Sequence, residues 1–149
     1  MPTLLIVHHT PSPTMQALFE AVLAGARDPE LEGVDVVRRA ALSATAKDLL
    51  DADGVVLGTP ANIGYMSGAL KHFFDTVYYP SLDSGRGTPF GFYVHGNEGV
   101  EGAVSSIVKV AKALSWKQVA EAVTVLGAPG KADLERCREL GGTVAASLL

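Results

Sequence analysis

Five short apolar runs alternate with segments of helical period along this chain, and that alternation constrains the fold more than any other feature. The runs are Thr3 to His8, Asp35 to Arg38, Gly54 to Leu57, Phe90 to His95 and Ala122 to Leu126. Between and after them, apolar residues recur every three or four positions: Met15, Leu18, Phe19, Val22; Met66, Leu70, Phe73, Val77; Val104, Ile107, Val108, Ala111; and Leu134, Cys137, Gly141, Val144, Leu148. A further, shorter helix is expected around Ala44 to Leu50. Near-continuous apolar strands joined by helices read as a parallel sheet covered on both faces, because each crossover must carry the chain back through a helix. The expected architecture is a three-layer α/β sandwich around a five-stranded parallel sheet. With 149 residues and 48% hydrophobic content, one large core and a single domain over residues 1–149 are expected. The stretch Pro80 to Pro89 reads as a loop within that domain.

The charge pattern narrows the function classes. A net charge of -4 with scattered basic residues offers no electrostatic footprint for nucleic acid or an anionic membrane. No apolar run reaches the roughly 20 residues that a membrane helix needs, and the first residues lack a signal-peptide pattern. One cysteine, Cys137, fits a reducing compartment. A cytoplasmic protein acting on small molecules is expected.

Two loops carry the chemistry. After the first strand comes His8-His9-Thr10-Pro11-Ser12-Pro13-Thr14, rich in hydroxyls just ahead of a helix. After the third comes a polar, glycine-punctuated stretch, Gly58 to Gly68, expected to be a loop. Both would leave the carboxyl ends of strands, where open α/β sheets bind ligands. The first loop has no dinucleotide glycine triplet, no Gly-Lys-Ser/Thr ending and no Cys with a downstream Arg. What it has suits a phosphate held by hydroxyls, backbone N–H groups and the positive end of a helix dipole. Helix capping by Ser12 and Thr14 is the simpler alternative. His8 and His9, being adjacent on a strand, point to opposite faces and make no metal pair.

Thr10-Pro11-Ser12-Pro13-Thr14, Gly58-Thr59-Pro60 and Gly64-Tyr65-Met66-Ser67-Gly68-Ala69-Leu70-Lys71 together resemble the flavodoxin-like family of FMN-binding proteins, a superfamily that includes NAD(P)H-dependent FMN reductases. The resemblance implies a sheet of order 2-1-3-4-5. It also implies FMN as cofactor, with its phosphate at His9, Thr10, Ser12, Pro13, Thr14 and Met15. Its ring would lie between Thr59, Pro60, Ala61, Asn62, Gly64, Tyr65 and Met66 on one side and His95, Gly96, Asn97 and Glu98 on the other. Pro13 and Met15 depart from the family's usual glycine and threonine, which removes one N–H donor and one hydroxyl. Neither ring-flanking loop has a tryptophan, so Tyr65 is the expected stacking partner. For His95 two readings stay open: a hydrogen bond to the flavin or substrate, or a bond to a neighbouring carbonyl.

Of the remaining residues, Trp116 is expected to pack in the core or at its rim, and Lys71 with Asp75 to form a surface pair. Cys137 is expected to be an inert thiol on the last helix. The function implied is an FMN-binding oxidoreductase that passes electrons from NAD(P)H to a small acceptor such as a quinone, with the Tyr78 to Leu82 segment as a homodimer contact. Two alternatives remain: an electron carrier between proteins, or the same fold without FMN binding.

Overall fold

The computed structural model describes residues 1–149. Its parallel strands are β1 (Thr3–His8), β2 (Asp35–Ala40), β3 (Gly54–Asn62), β5 (Pro89–Gly96), β6 (Lys117–Gln118) and β7 (Val123–Leu126), and β4 (Tyr65–Met66) turns back on β3. Helices α1 (Pro13–Ala26), α2 (Ala46–Leu50), α3 (Gly68–Ser81), α4 (Val100–Ala113) and α5 (Lys131–Ala146) lie between and after them. The sheet runs β2-β1-β3-β5-β6, with β7 also on β5. Strands β6 and β7 pair with the two ends of β5, at Pro89 and Phe90 and at Tyr93 to Gly96. They therefore form one interrupted edge strand, and the order is the expected five-strand order with its last strand split.

Alternation along each strand divides the core. Leu5 and Val7 of β1 face one way, with Val55 and Leu57 of β3 and Phe90, Phe92 and Val94 of β5, under α2, α3 and α4. Leu4, Ile6, Val56 and Tyr93 face the other way, under α1 and α5. These apolar residues are almost all fully buried, which is why the runs lack the polar alternation of a half-exposed sheet. Trp116 packs its ring 5.8 Å from Phe74 and 5.7 Å from Phe90 on the first of these faces, so it is a core residue. Cys137 is buried on α5, and burial pushes its thiol up to about 11.

Strand β2 runs two residues past Arg38, α2 begins two residues after Ala44, and larger differences from expectation lie at the ends of β3 and α3. Strand β3 continues five residues past Leu57, because Gly58, Thr59 and Pro60 pair with Tyr93, Val94 and His95 of β5. The stretch Gly58 to Gly68 is therefore a β-hairpin running into α3, and only Ile63, Gly64 and Ser67 lie outside its strands and helix. Helix α3 extends through Pro80 to Ser81, so the connection to β5 is shorter than Pro80 to Pro89. No helix is long and apolar enough to cross a membrane.

Helices α1 and α5 touch backbone to backbone. A Cβ on Gly141 would lie 2.1 Å from the Val22 carbonyl oxygen, a contact that no side chain can relieve by rotating. Gly141→Ala is expected to destabilise the protein by about 1–3 kcal/mol despite alanine's better helix propensity, because the two helices must separate. Urea denaturation read by circular dichroism measures this, and an unchanged midpoint would disprove the close-contact account.

Candidate functional site

The site is built from three connections that leave the same carboxyl edge of adjacent strands β1, β3 and β5. In the first, Ser12 has extended backbone and caps α1, its Oγ accepting from Met15 N–H at 3.2 Å. Pro13 follows in the first turn, where its missing N–H costs the helix nothing and its fixed φ suits the start. The N–H groups of Thr10, Ser12 and Thr14 donate to no protein acceptor, and the Thr14 hydroxyl has no protein partner. His9 donates its main-chain N–H to Gly58 O at 2.9 Å, while its Nδ1 is buried without a partner. Unpaired donors at a helix start, with no carboxylate on the loop, are suited to an anion. Of the two residues expected to cap the helix, Ser12 does so and Thr14 does not, and the neighbouring donors stay free.

Met15 departs from its expected role. Its side chain is fully buried with Leu18, Phe19 and Val22, because it begins the apolar stripe of α1, and its N–H is taken by Ser12. His8 stacks on Phe19 with ring centroids 4.0 Å apart and shares a 2.6 Å hydrogen bond between Nδ1 and Thr10 Oγ1. Burial, then the Arg38 charge and then His9 hold the His8 imidazole below its ordinary range.

The second connection is the hairpin. Thr59 is buried, its Oγ accepting from Ser67 N–H at 2.9 Å and donating to Pro60 O at 2.7 Å. That hydroxyl braces the hairpin and is not free for a ligand. Ser67 in turn caps α3, accepting from Leu70 N–H at 3.3 Å. Ile63 and Gly64 both have positive φ, 51° and 66°, as a tight two-residue hairpin turn of this hand requires. The tip presses on α4: a Cβ on Gly102 would lie 2.0 Å from Gly64 O. One turn further along, Met66 N–H donates to Ser106 Oγ at 3.1 Å, and Ser106 donates to Ala103 O.

In the third connection His95 Nε2 donates to Gly127 O at 2.8 Å, tying the ends of β5 and β7 together. This is the neighbouring-carbonyl reading of His95. Gly96 is buried, Asn97 and Glu98 are exposed, and Gly99 turns the chain into α4 with φ 72°. The hairpin and this turn enclose a cleft of about 740 Å³ lined by Ala61, Asn62, Ile63, Gly64, Asn97, Glu98 and Gly99. Glu98 is its one charged side chain.

The structure thus brings together Ala61, Asn62, Gly64, Asn97 and Glu98, and adds Ile63 and Gly99. Tyr65 and Met66 are not in that cleft. Met66 is buried in the core. Tyr65 lines a separate groove between α3 and α4, because the turn at Ile63-Gly64 sends the next side chain to the far side of the hairpin.

Comparison with known proteins identifies the family and the fold. A sequence model of the NADPH-dependent FMN reductase family matches residues 8–129. A flavodoxin from Aquifex aeolicus (strain VF5) is 38% identical over 77 residues, which are 52% of this chain and 40% of that protein. The match therefore spans well under half of that relative. Two solved structures share the fold at low identity. A flavodoxin from Streptococcus pneumoniae superposes with a TM-score of 0.82 at 21% identity, covering 97% of this chain and 99% of that one. A flavodoxin, WrbA-like protein from Agrobacterium tumefaciens does so with a TM-score of 0.81 at 20% identity, covering 99% and 98%.

Two expectations follow from the site's local geometry. A fully exposed isoleucine at φ 51° holds a conformation that β-branched residues disfavour, so Ile63→Asn should raise stability by about 1 kcal/mol. A thermal melt of the cofactor-free protein that fails to rise would refute this. For His8, the unfolded chain takes up the proton more readily than the folded one, so stability falls as pH drops below about 6.5. His8→Phe keeps a ring against Phe19 and should flatten that part of the pH–stability curve between pH 7 and 5, as measured by urea midpoints.

Proposed function

The chain belongs to the NADPH-dependent FMN reductase family and binds FMN, and from that premise we propose an oxidoreductase that takes hydride from NADH or NADPH and delivers electrons to a small acceptor such as a quinone. The free N–H groups of Thr10, Ser12 and Thr14 support this reading, because they offer anion recognition at the carboxyl end of a strand, where open α/β sheets bind ligands. In it the FMN phosphate is held at His9 to Thr14, by three backbone donors and the Thr14 hydroxyl. Pro13 contributes shape and no hydrogen bond. A phosphate dianion meets no carboxylate on this loop, and the dipole of the 14-residue helix α1 favours it.

The ring is proposed to lie in the cleft between the hairpin and Asn97 to Gly99, with Pro60, His95 and Gly96 beneath it at the strand ends. Bound FMN supplies the hydride acceptance and the onward electron transfer, for which the protein provides orientation and electrostatics. Main-chain N–H groups at Asn97 to Gly99, at the start of α4, are placed to donate toward negative charge on the ring's pyrimidine side. The Ile63 side chain offers an aliphatic surface where an aromatic ring was expected. Glu98, the one charge in the cleft, disfavours anionic acceptors and leaves neutral ones such as quinones.

Titrating the cofactor-free protein into FMN and into riboflavin, followed by flavin fluorescence, tests the phosphate assignment. FMN should bind much more tightly than riboflavin. Thr14→Val should weaken FMN about tenfold or more, the loss of one hydrogen bond to a charged group, and leave riboflavin unchanged. Equal loss for both flavins would remove the phosphate from this loop. Steady-state NADH and NADPH oxidation with a quinone tests the enzyme reading, and absence of turnover with either donor would refute it.

A further inference from the structure

A groove behind the hairpin lies outside the proposed FMN site. It measures about 600 Å³ and runs between α3 and α4. Aromatic rings from Tyr65, Phe74, Tyr78 and Tyr79 form its walls. Tyr78 and Tyr79 meet edge to face at 5.1 Å, and Tyr79 is 82% exposed, unusual for so large an apolar surface. Two lysines stand at its mouth. Lys71 is held by Asp75 at 2.6 Å, whereas Lys109 forms no ion pair. In a chain of net charge -4, this groove has a cationic excess.

We infer that this groove receives the adenylate half of the nicotinamide dinucleotide: adenine against the exposed tyrosine rings, and its phosphates at Lys109 and Lys71. The inference rests on the proposed function and extends it. A dinucleotide has two planar ends joined by a pyrophosphate, so a nicotinamide in the Asn62 to Gly99 cleft requires a second, separate seat for its other end. The cleft cannot supply that seat, because its one charged group, Glu98, repels phosphate. The hairpin alone separates the two, since Gly64 lines the cleft and its sequence neighbour Tyr65 lines the groove, so a dinucleotide seated in both would arch over the hairpin. A neutral quinone would use the aromatic walls and leave Lys109 without a role. Adenine stacks on tyrosine faces, and phosphate pairs with an ammonium that has no other partner.

Adenosine 2′,5′-bisphosphate, which carries the ring and phosphates without the redox end, is the probe. Calorimetry on the FMN-loaded protein should show saturable binding. Amide shifts should concentrate at Tyr65, Tyr79 and Lys109, and Tyr79→Ala and Lys109→Ala should each weaken binding about tenfold, the usual loss for one stacked base or one charge contact. Both variants should also lower kcat/KM for NADPH about tenfold relative to that for reduced nicotinamide mononucleotide, which has no adenylate. No saturable binding, or binding that neither variant weakens, would overturn the inference. So would sedimentation showing a wild-type dimer that Tyr79→Ala dissociates, since a second copy would then cover the groove. NADPH turnover indifferent to both variants would leave the proposed function standing and remove the groove from it. Bisphosphate binding in the groove without any NADPH oxidation would keep the nucleotide site and defeat the proposed function.

Discussion

The hold of α4 on the β3–β4 hairpin is the contact on which the site depends. The Gly64 carbonyl occupies the space a side chain at position 102 would need, and Ser106 bonds the backbone at Met66 from the next turn. Thr59 closes the hairpin from inside, accepting from Ser67, which itself starts α3. These four anchors fix the hairpin's angle to the sheet. They make it the wall between a cleft on one side and an aromatic groove on the other. Larger residues at position 102 would push the tip away from α4 and change both cavities at once.

The β1–α1 loop offers an anion hydrogen-bond donors without a cationic side chain, and its architecture explains how. Ser12 spends its hydroxyl on the cap and Thr10 shares its own with His8. What remains is backbone: three N–H groups with no internal partner. Burial keeps the neighbouring His8 short of protons, and the loop carries no lysine or arginine. Binding energy from fixed dipoles and N–H groups falls off within the first helical turn. It therefore discriminates by position, favouring a compact dianion seated against α1.

The layers were legible in the sequence because burial on both faces leaves a simple mark. Leu4 to Val7, Gly54 to Leu57 and Phe90 to His95 are apolar without polar alternation, and the stripes of α1, α3 and α5 bury as spaced. The hairpin was hidden for a physical reason. Gly58, Pro60 and Asn62 disfavour strands, and only tertiary pairing with Tyr93, Val94 and His95 extends β3 through them. The fate of Tyr65 turned on a single residue of register. In a period-2 strand, moving the turn by one position exchanges the two faces, and no local signal distinguished a turn at Ile63-Gly64 from its neighbours. Asn-Gly would have marked such a turn, but here the position before Gly64 is isoleucine. The composition of the groove was readable residue by residue, yet its assembly from α3, α4 and β4 was not.

That isoleucine shows which force wins at the site. A β-branched side chain at positive φ is strained, and full exposure gives it no core contact in return. Such strain persists only where the surroundings over-determine the backbone, and they do so here: Gly64 is pressed against α4 and the hairpin is closed by buried hydrogen bonds on either side. The conformation is thus set before any ligand arrives, so a flat ring entering the cleft has little ordering entropy to overcome on this side. The phosphate side differs, since Pro13 has removed one possible donor and Met15 has withdrawn into the core. In the proposed binding mode, affinity is accordingly weighted toward the rigid hairpin cleft, and the β1–α1 loop sets which flavin is chosen more than how tightly it is held.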